Sequence, residues 1–225
     1  AGTIGGVSAG LIGSPLYGFA AASEAAPGGM GGASVVLVLV CLALLISALG
    51  AAGVSFGIAA ARRISGRMGP SCIVGGALGG LLIGAIVKLI GIDAFNLLIG
   101  RAPADITGPG EGALIGAAIG LAAWIGLSQW RLRIAGPIGA IAGATAGVLI
   151  VLLGGRMLAG TLDLLAQVFP QSRLRLDAIG RLFGEQGFGY TSQLVTGGLE
   201  GALFAGCVVG AMFLAEERLR ARSVP

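Results

Sequence analysis

The chain has no histidine, and of its 225 residues only 11% are charged and 5% aromatic, with three cysteines. Without imidazole it has no His metal ligand, no His general base and no His-based triad of its own. A soluble domain carries about a quarter of its residues as charges, so an ordinary water-soluble fold is excluded. Cys41, Cys72 and Cys207 lie far apart, each in or beside an apolar run, and read as small packing residues rather than ligands. Asp93 with Asp105, and Asp163 with Asp177, make no convincing acid dyads, and the Ser and Cys hydroxyls and thiols lack a base. No catalytic constellation is present, and no cofactor or metal is expected.

What is abundant is glycine, 44 residues, together with 56% hydrophobic residues and a mean hydropathy of +0.97. Collagen needs glycine at every third position with abundant proline, and a disordered linker needs low hydrophobicity. Neither fits. A Gly-rich phosphate loop needs a strand before it and a helix after it, whereas these glycines lie inside apolar runs. The composition is that of an integral membrane protein.

A spanning helix needs about 20 mostly apolar residues. Stretches near 2–22, 33–61, 71–91, 110–130, 135–158 and 196–216 qualify as six spans. Open strands would leave backbone groups unpaired in lipid, and barrel-type alternation is lacking. Orientation follows the basic residues, which gather in cytoplasmic loops. Arg62, Arg63 and Arg67, then Arg131 and Arg133, then Arg218, Arg220 and Arg222 follow the second, fourth and sixth spans, against two acids, Glu216 and Glu217. The other side holds eight acids, including Glu24, and six basic residues, among them Arg101, Arg156, Arg173, Arg175 and Arg181. Both termini are therefore expected in the cytoplasm of a bacterial-type cell, with the chain in the inner membrane.

The segment Thr107-Gly108-Pro109-Gly110-Glu111-Gly112-Ala113-Leu114 matches Thr196-Gly197-Gly198-Leu199-Glu200-Gly201-Ala202-Leu203 at six of eight positions, offset by 89. Upstream, Gly69-Pro70 matches Gly136-Pro137 at an offset of 67, which also aligns Gly76 with Gly143 and Gly80 with Gly147. The difference between the offsets is a 22-residue insertion in the second connecting loop. Gly6 and Gly10 map onto Gly76 and Gly80 at an offset of 70, a weaker third copy. The expected fold is an all-α, six-helix glycine-zipper bundle of three hairpin repeats (1–67, 68–133 and 134–222) forming a single membrane domain. Successive two-span copies enter and leave on the same sides, as parallel repeats.

The glycines recur at every fourth residue, on one helix face. The rows include Gly6 and Gly10; Gly76, Gly80 and Gly84; Gly112, Gly116 and Gly120; Gly139, Gly143 and Gly147; and Gly206 and Gly210. In lipid, such smooth stripes let backbones approach closely, a main driving force for helix association. The expectation is intramolecular packing, with a homo-oligomer or a small-residue pore as the rival.

Glu111 and Glu200 are the leading candidate site residues because they occupy matched repeat positions. Each is expected in a first helical turn, where the positive helix end favours an anion, with Thr107 and Thr196 capping the same helices; the alternative is an acid pair binding a cation at the outer mouth. Lys88, on the row of Gly76, Gly80 and Gly84, is expected to snorkel to the headgroups or to pair with Asp93 or Glu111. The loops at Ile92–Ile106 and around Leu176, Ile179 and Phe183, beyond Pro170, read as short interfacial helices with their apolar faces in lipid. These are lids over the bundle or sites for a ligand or lipid headgroup. Trp124 and Trp130 read as interfacial anchors.

The function expected is a membrane-anchoring domain, with signal sensing as a further role, in a larger protein whose partner domain precedes Ala1 on the cytoplasmic side. The runner-up is a small transporter or channel using Glu111 and Glu200. Expected partners are the lipid bilayer, the linked upstream domain and a second copy of the chain; nucleic acid is not among them, because the basic residues mark span ends rather than one polar face.

Overall fold

The computed structural model describes residues 1–23, 31–67, 69–103, 106–128, 132–169 and 175–223. Glu24, Asp105, Trp130, Arg131, Pro170 and Arg173 lie outside the described residues. Among the described residues there are eight helices and no strand: α1 (Gly2–Ser23), α2 (Gly31–Ser65), α3 (Ser71–Ile99), α4 (Pro109–Ser128), α5 (Leu132–Leu152), α6 (Leu158–Val168), α7 (Asp177–Leu182) and α8 (Tyr190–Ser223). Five of them, α2, α3, α4, α5 and α8, are long and apolar enough to cross a membrane. The chain is a multi-pass membrane protein. On α2, Leu37, Leu45 and Phe56 are 64%, 63% and 79% exposed, a face that needs hydrocarbon around it.

Helix limits follow local chemistry. Gly100 ends α3 at φ 75°, the left-handed conformation that glycine adopts without a Cβ penalty, and its N–H donates to the Asn96 carbonyl. The expected interfacial helix over Ile92–Ile106 is thus not separate: α3 runs through to Ile99. Gly154, at φ 82°, stops the chain just after α5, so that helix ends at Leu152 instead of near 158. The expected lid helices exist as α6 and α7; of the apolar residues expected to face lipid, Phe183 is exposed, whereas Leu176 and Ile179 are not. Leu176, Ile179 and Leu162 are buried with Tyr17, Ala159 and Phe188 in a small core of their own.

The most extensive packing joins α5 with α8, α3 with α4, and α1 with α2, and α2 also lies along α3. The α3–α4 contact is backbone to backbone. A Cβ built at Gly76, Gly80 or Gly84 collides with the carbonyl oxygen of Gly116, Gly112 or Gly108, respectively, and Cβ atoms at Gly112, Gly116 and Gly120 meet the carbonyls of Gly80, Gly76 and Cys72. In the α5–α8 pair, Gly143 and Gly147 stand against Gly201 and Gly197, and a Cβ at Gly139 lies 2.8 Å from the Ala205 carbonyl oxygen. Gly6 of α1 meets Ser47 and Ala51 of α2, and Gly10 stands 3.3 Å from the Ala43 carbonyl oxygen. Two of the row members depart from the pattern. A Cβ at Gly206 comes no closer than 3.3 Å, to Ala140, and one at Gly210 meets nothing within 4 Å among the described atoms. Among the described atoms Gly210 therefore makes no close contact.

α3 also carries a second row that the sequence rows omit: Gly75 and Gly79 face Gly57 and Gly53 of α2. Adjacent glycines thus serve two neighbouring helices. The two glycine-rich hairpins differ in register. The sequence match would put Gly147 opposite Gly201, but Gly147 meets Gly197 and Gly143 meets Gly201, a slide of about one helical turn, ~6 Å. Larger side chains, including the fully buried Ile58, Ile119 and Ile150, fill the remaining core.

Candidate functional site

Three of the four matched residues meet the segment that links α5 to α6 and opens α6. α8 starts earlier than expected because Glu185 caps it: Oε1 accepts the Thr191 N–H at 2.7 Å, and Oε2 accepts the Ser192 N–H at 3.0 Å and the Ser192 hydroxyl at 2.5 Å. The Ser192 hydroxyl, aided by the two backbone N–H groups, pulls the Glu185 carboxyl down to about 2. A folded pKa below the ordinary value of 4.5 means that this cap stabilises α8 fully above that value and is lost as pH falls through about 2. A carboxyl-carbon NMR titration is expected to find the Glu185 midpoint far below that of an ordinary glutamate and to move it upward in Ser192→Ala; an ordinary midpoint in the parent would refute the cap.

With α8 beginning at Tyr190, Glu200 lies three turns inside the helix and not in its first turn. Thr196 is likewise internal, and its hydroxyl donates to the Ser192 carbonyl at 2.7 Å instead of capping. Glu200 works across helices. Its Oε1 accepts the Tyr17 hydroxyl of α1 at 2.6 Å and the Ala159 N–H at 2.8 Å, and its Oε2 accepts the Leu158 N–H at 2.7 Å. Met157 is the N-cap residue of α6 and provides no side-chain bond. Glu200 thus supplies, from α8, the acceptor that the first N–H groups of α6 need, and places an anion at the positive helix end. Tyr17, only 3% exposed, has its hydroxyl satisfied by the same carboxylate.

Glu111 does stand in the first turn of α4, where Oε2 accepts the Gly108 N–H at 2.9 Å. This is the half of a capping box in which an N3 carboxylate reaches back to the N-cap N–H. Thr107 supplies no other half. Its hydroxyl donates to the Arg156 carbonyl at 2.7 Å and lies 2.8 Å from the Thr161 hydroxyl, and its N–H donates to Thr161 Oγ1 at 3.2 Å. It ties the entry of α4 to α6 and does not cap α4. Glu111 Oε1 lies 2.8 Å from where a Cβ on Gly155 would be. Thr107, Glu111 and Glu200 therefore meet the 155–161 segment from two helices, while Thr196 does not reach it.

Lys88 lies with its stem along Gly108, where a Cβ would stand 2.7 Å from Lys88 Cδ and 3.5 Å from Nζ. Among the described residues it makes no ion pair with Asp93 or Glu111. On α6, Gln167 donates to Asp163 at 2.7 Å. Burial, with the charge of Asp177 added, raises the Asp163 carboxyl above its ordinary range against the opposing pull of Arg156 and Gln167.

Chemically, the cluster satisfies helix ends and ties α4, α6 and α8 together. Its carboxylates are acceptors for protein N–H and O–H groups, and among the described residues no three acidic or sulfur side chains converge as a metal site. Comparison with protein-family models, curated proteins and solved structures found no match. Geometry and chemistry therefore carry the functional reading. The residues not foreseen are Tyr17, Thr161 and the second glycine row at Gly75 and Gly79. Tyr17 had a signal: it is one of two tyrosines in the chain, a polar-tipped ring in an apolar helix. Thr161 had none, because its partner is 54 residues away.

Proposed function

We propose that this chain is a membrane-anchoring domain: a six-span bundle of three glycine-zipper hairpins, with α1 as the sixth span and α6–α7 as a lid clamped over one end. The observation that supports this reading is the use made of Glu200. A carboxylate inside a membrane bundle is functional by default, and this one is occupied by Tyr17 and the two α6 N–H groups. Close backbone contact along α2–α3, α3–α4 and α5–α8 further suits a static bundle. The sequence match between α3–α4 and α5–α8 supports descent from repeated hairpins, and the arginine-bearing ends support a cytoplasmic face for both termini.

The test joins a soluble reporter to either end of the full chain and pairs this with flux measurements. The anchor reading expects the reporter to stay membrane-bound through alkaline extraction, and expects liposomes holding the purified chain to pass ions no faster than empty ones. Selective flux abolished by Glu200→Gln would replace the anchor with the transporter or channel reading.

A further inference from the structure

The ends of α2 and α8 do more than terminate spans. α1 begins between them: Gly6 packs on Ser47 and Ala51 of α2, and Gly5 on Cys207 and Val208 of α8. A Cβ at Gly2 would meet Ser55, and from that level α2 runs on for about ten residues, ~15 Å at 1.5 Å per residue. α8 also runs on in that direction. Gly139 of α5 stands level with Ala205, so α8 runs on well beyond the first residue of α5. There a side-chain pair bridges the two helices: Arg62 Nη1 and Nη2 donate to the two carboxylate oxygens of Glu216 at 3.1 and 3.2 Å.

That bidentate pair fixes the two ends side by side and occupies Glu216. Around it, Arg63, Arg67 and Arg218 are exposed, and Glu217 is the one further acid there against the additional Arg220 and Arg222 of the sequence. Apolar residues lie between the arginines: Ile64 is 87% and Leu219 68% exposed. Guanidinium groups interleaved with projecting aliphatic side chains, on helices emerging from a membrane-spanning bundle, match a surface with phosphate above and hydrocarbon below. A soluble acidic partner would answer the charge but would leave Ile64 and Leu219 without an apolar phase.

We infer that the joined ends of α2 and α8 form a binding surface for anionic phospholipid headgroups, with Arg63, Arg67 and Arg218 meeting the phosphate. The inference needs the chain in a membrane but not its anchoring role, and the flux measurement above leaves it untouched. The test is native mass spectrometry of the full chain, released from an equal mixture of phosphatidylglycerol and phosphatidylcholine. The parent is expected to retain the anionic lipid at least about tenfold over the zwitterionic one, as each arginine near a charged surface contributes about fivefold. Raising salt from about 0.05 to 0.5 M is expected to weaken that preference.

The triple variant Arg63→Gln, Arg67→Gln, Arg218→Gln should lose the preference. The triple lysine variant should keep most of it, and Arg101→Gln, whose guanidinium stacks on Phe169, should keep all of it. The lysine variant and the salt series decide the matter even if the glutamine variant fails to fold. Millimolar inorganic phosphate should not displace the lipid. Equal retention of the two lipids by the parent, displacement by free phosphate, or preference for polyglutamate over phosphatidylglycerol would each overturn the inference.

Discussion

Glu200→Ala is expected to destabilise the detergent-solubilised chain by about 3–5 kcal/mol, because it strands several buried donors at once. The Tyr17 hydroxyl and the N–H groups of Leu158 and Ala159 all lose their acceptor. For a chain of this size the loss corresponds to roughly 10 °C in thermal midpoint. Tyr17→Phe removes one donor and leaves the carboxylate bound to α6, so its cost is nearer 1 kcal/mol. The two changes share a partner, so the double variant should be far from additive. Hydrogen exchange adds a local signature. In Glu200→Ala, protection should fall first in Leu158–Val168, while the α3–α4 amides hold. Unchanged exchange in α6 would show that Glu200 does not clamp it.

The second large effect is at Gly116. Replacing glycine by a better helix former inside a helix gains up to about 1 kcal/mol in water, but here the added carbon strikes the Gly76 carbonyl. Backbone cannot yield as a side-chain tip can, so Gly116→Leu should force α3 and α4 apart, cost roughly 3 kcal/mol or more and give a heterogeneous, aggregating preparation. Gly112→Leu should act the same way through Gly80. Gly210→Leu is the control, since its Cβ position is clear of described atoms within 4 Å. If Gly116→Leu were as monodisperse and heat-resistant as Gly210→Leu, close backbone packing would not hold the bundle together.

The helical class and most of the long helices were legible because hydropathy and glycine spacing are local properties. Span limits were less so. α8 begins at Tyr190 because Glu185, five residues upstream, supplies a cap, and only the turn through Gly184 and Gly187, both at positive φ, brings that carboxylate into reach. The sequence match drew attention to Thr107, Glu111, Thr196 and Glu200, and two of these hold α6. Their roles were not legible, because matched sequence positions met different surroundings. Glu111 opens a helix and bonds locally, whereas Glu200 lies mid-helix and bonds to residues 41 and 42 positions away. The one-turn slide of α8 along α5 separates these two environments, and an offset between similar stretches of sequence carries no information about it. The burial of Leu176 and Ile179 was not legible, because a short amphipathic helix looks the same whether hydrocarbon or Tyr17 covers it.

The backbone contact along α3 bears on the solvent in which this protein can exist. In water a glycine in a helix interior costs about 1 kcal/mol relative to alanine, and α3 carries five, Gly75, Gly76, Gly79, Gly80 and Gly84, within its first 14 residues. In hydrocarbon an unpaired peptide group is so costly that the chain stays helical before any partner arrives. The conformational freedom that makes glycine a helix breaker is thus removed by the bilayer, and only its small size remains to act. An α3 peptide should be a coil in buffer and a helix in micelles, so the surrounding lipid is as much a determinant of this fold as the order of its residues.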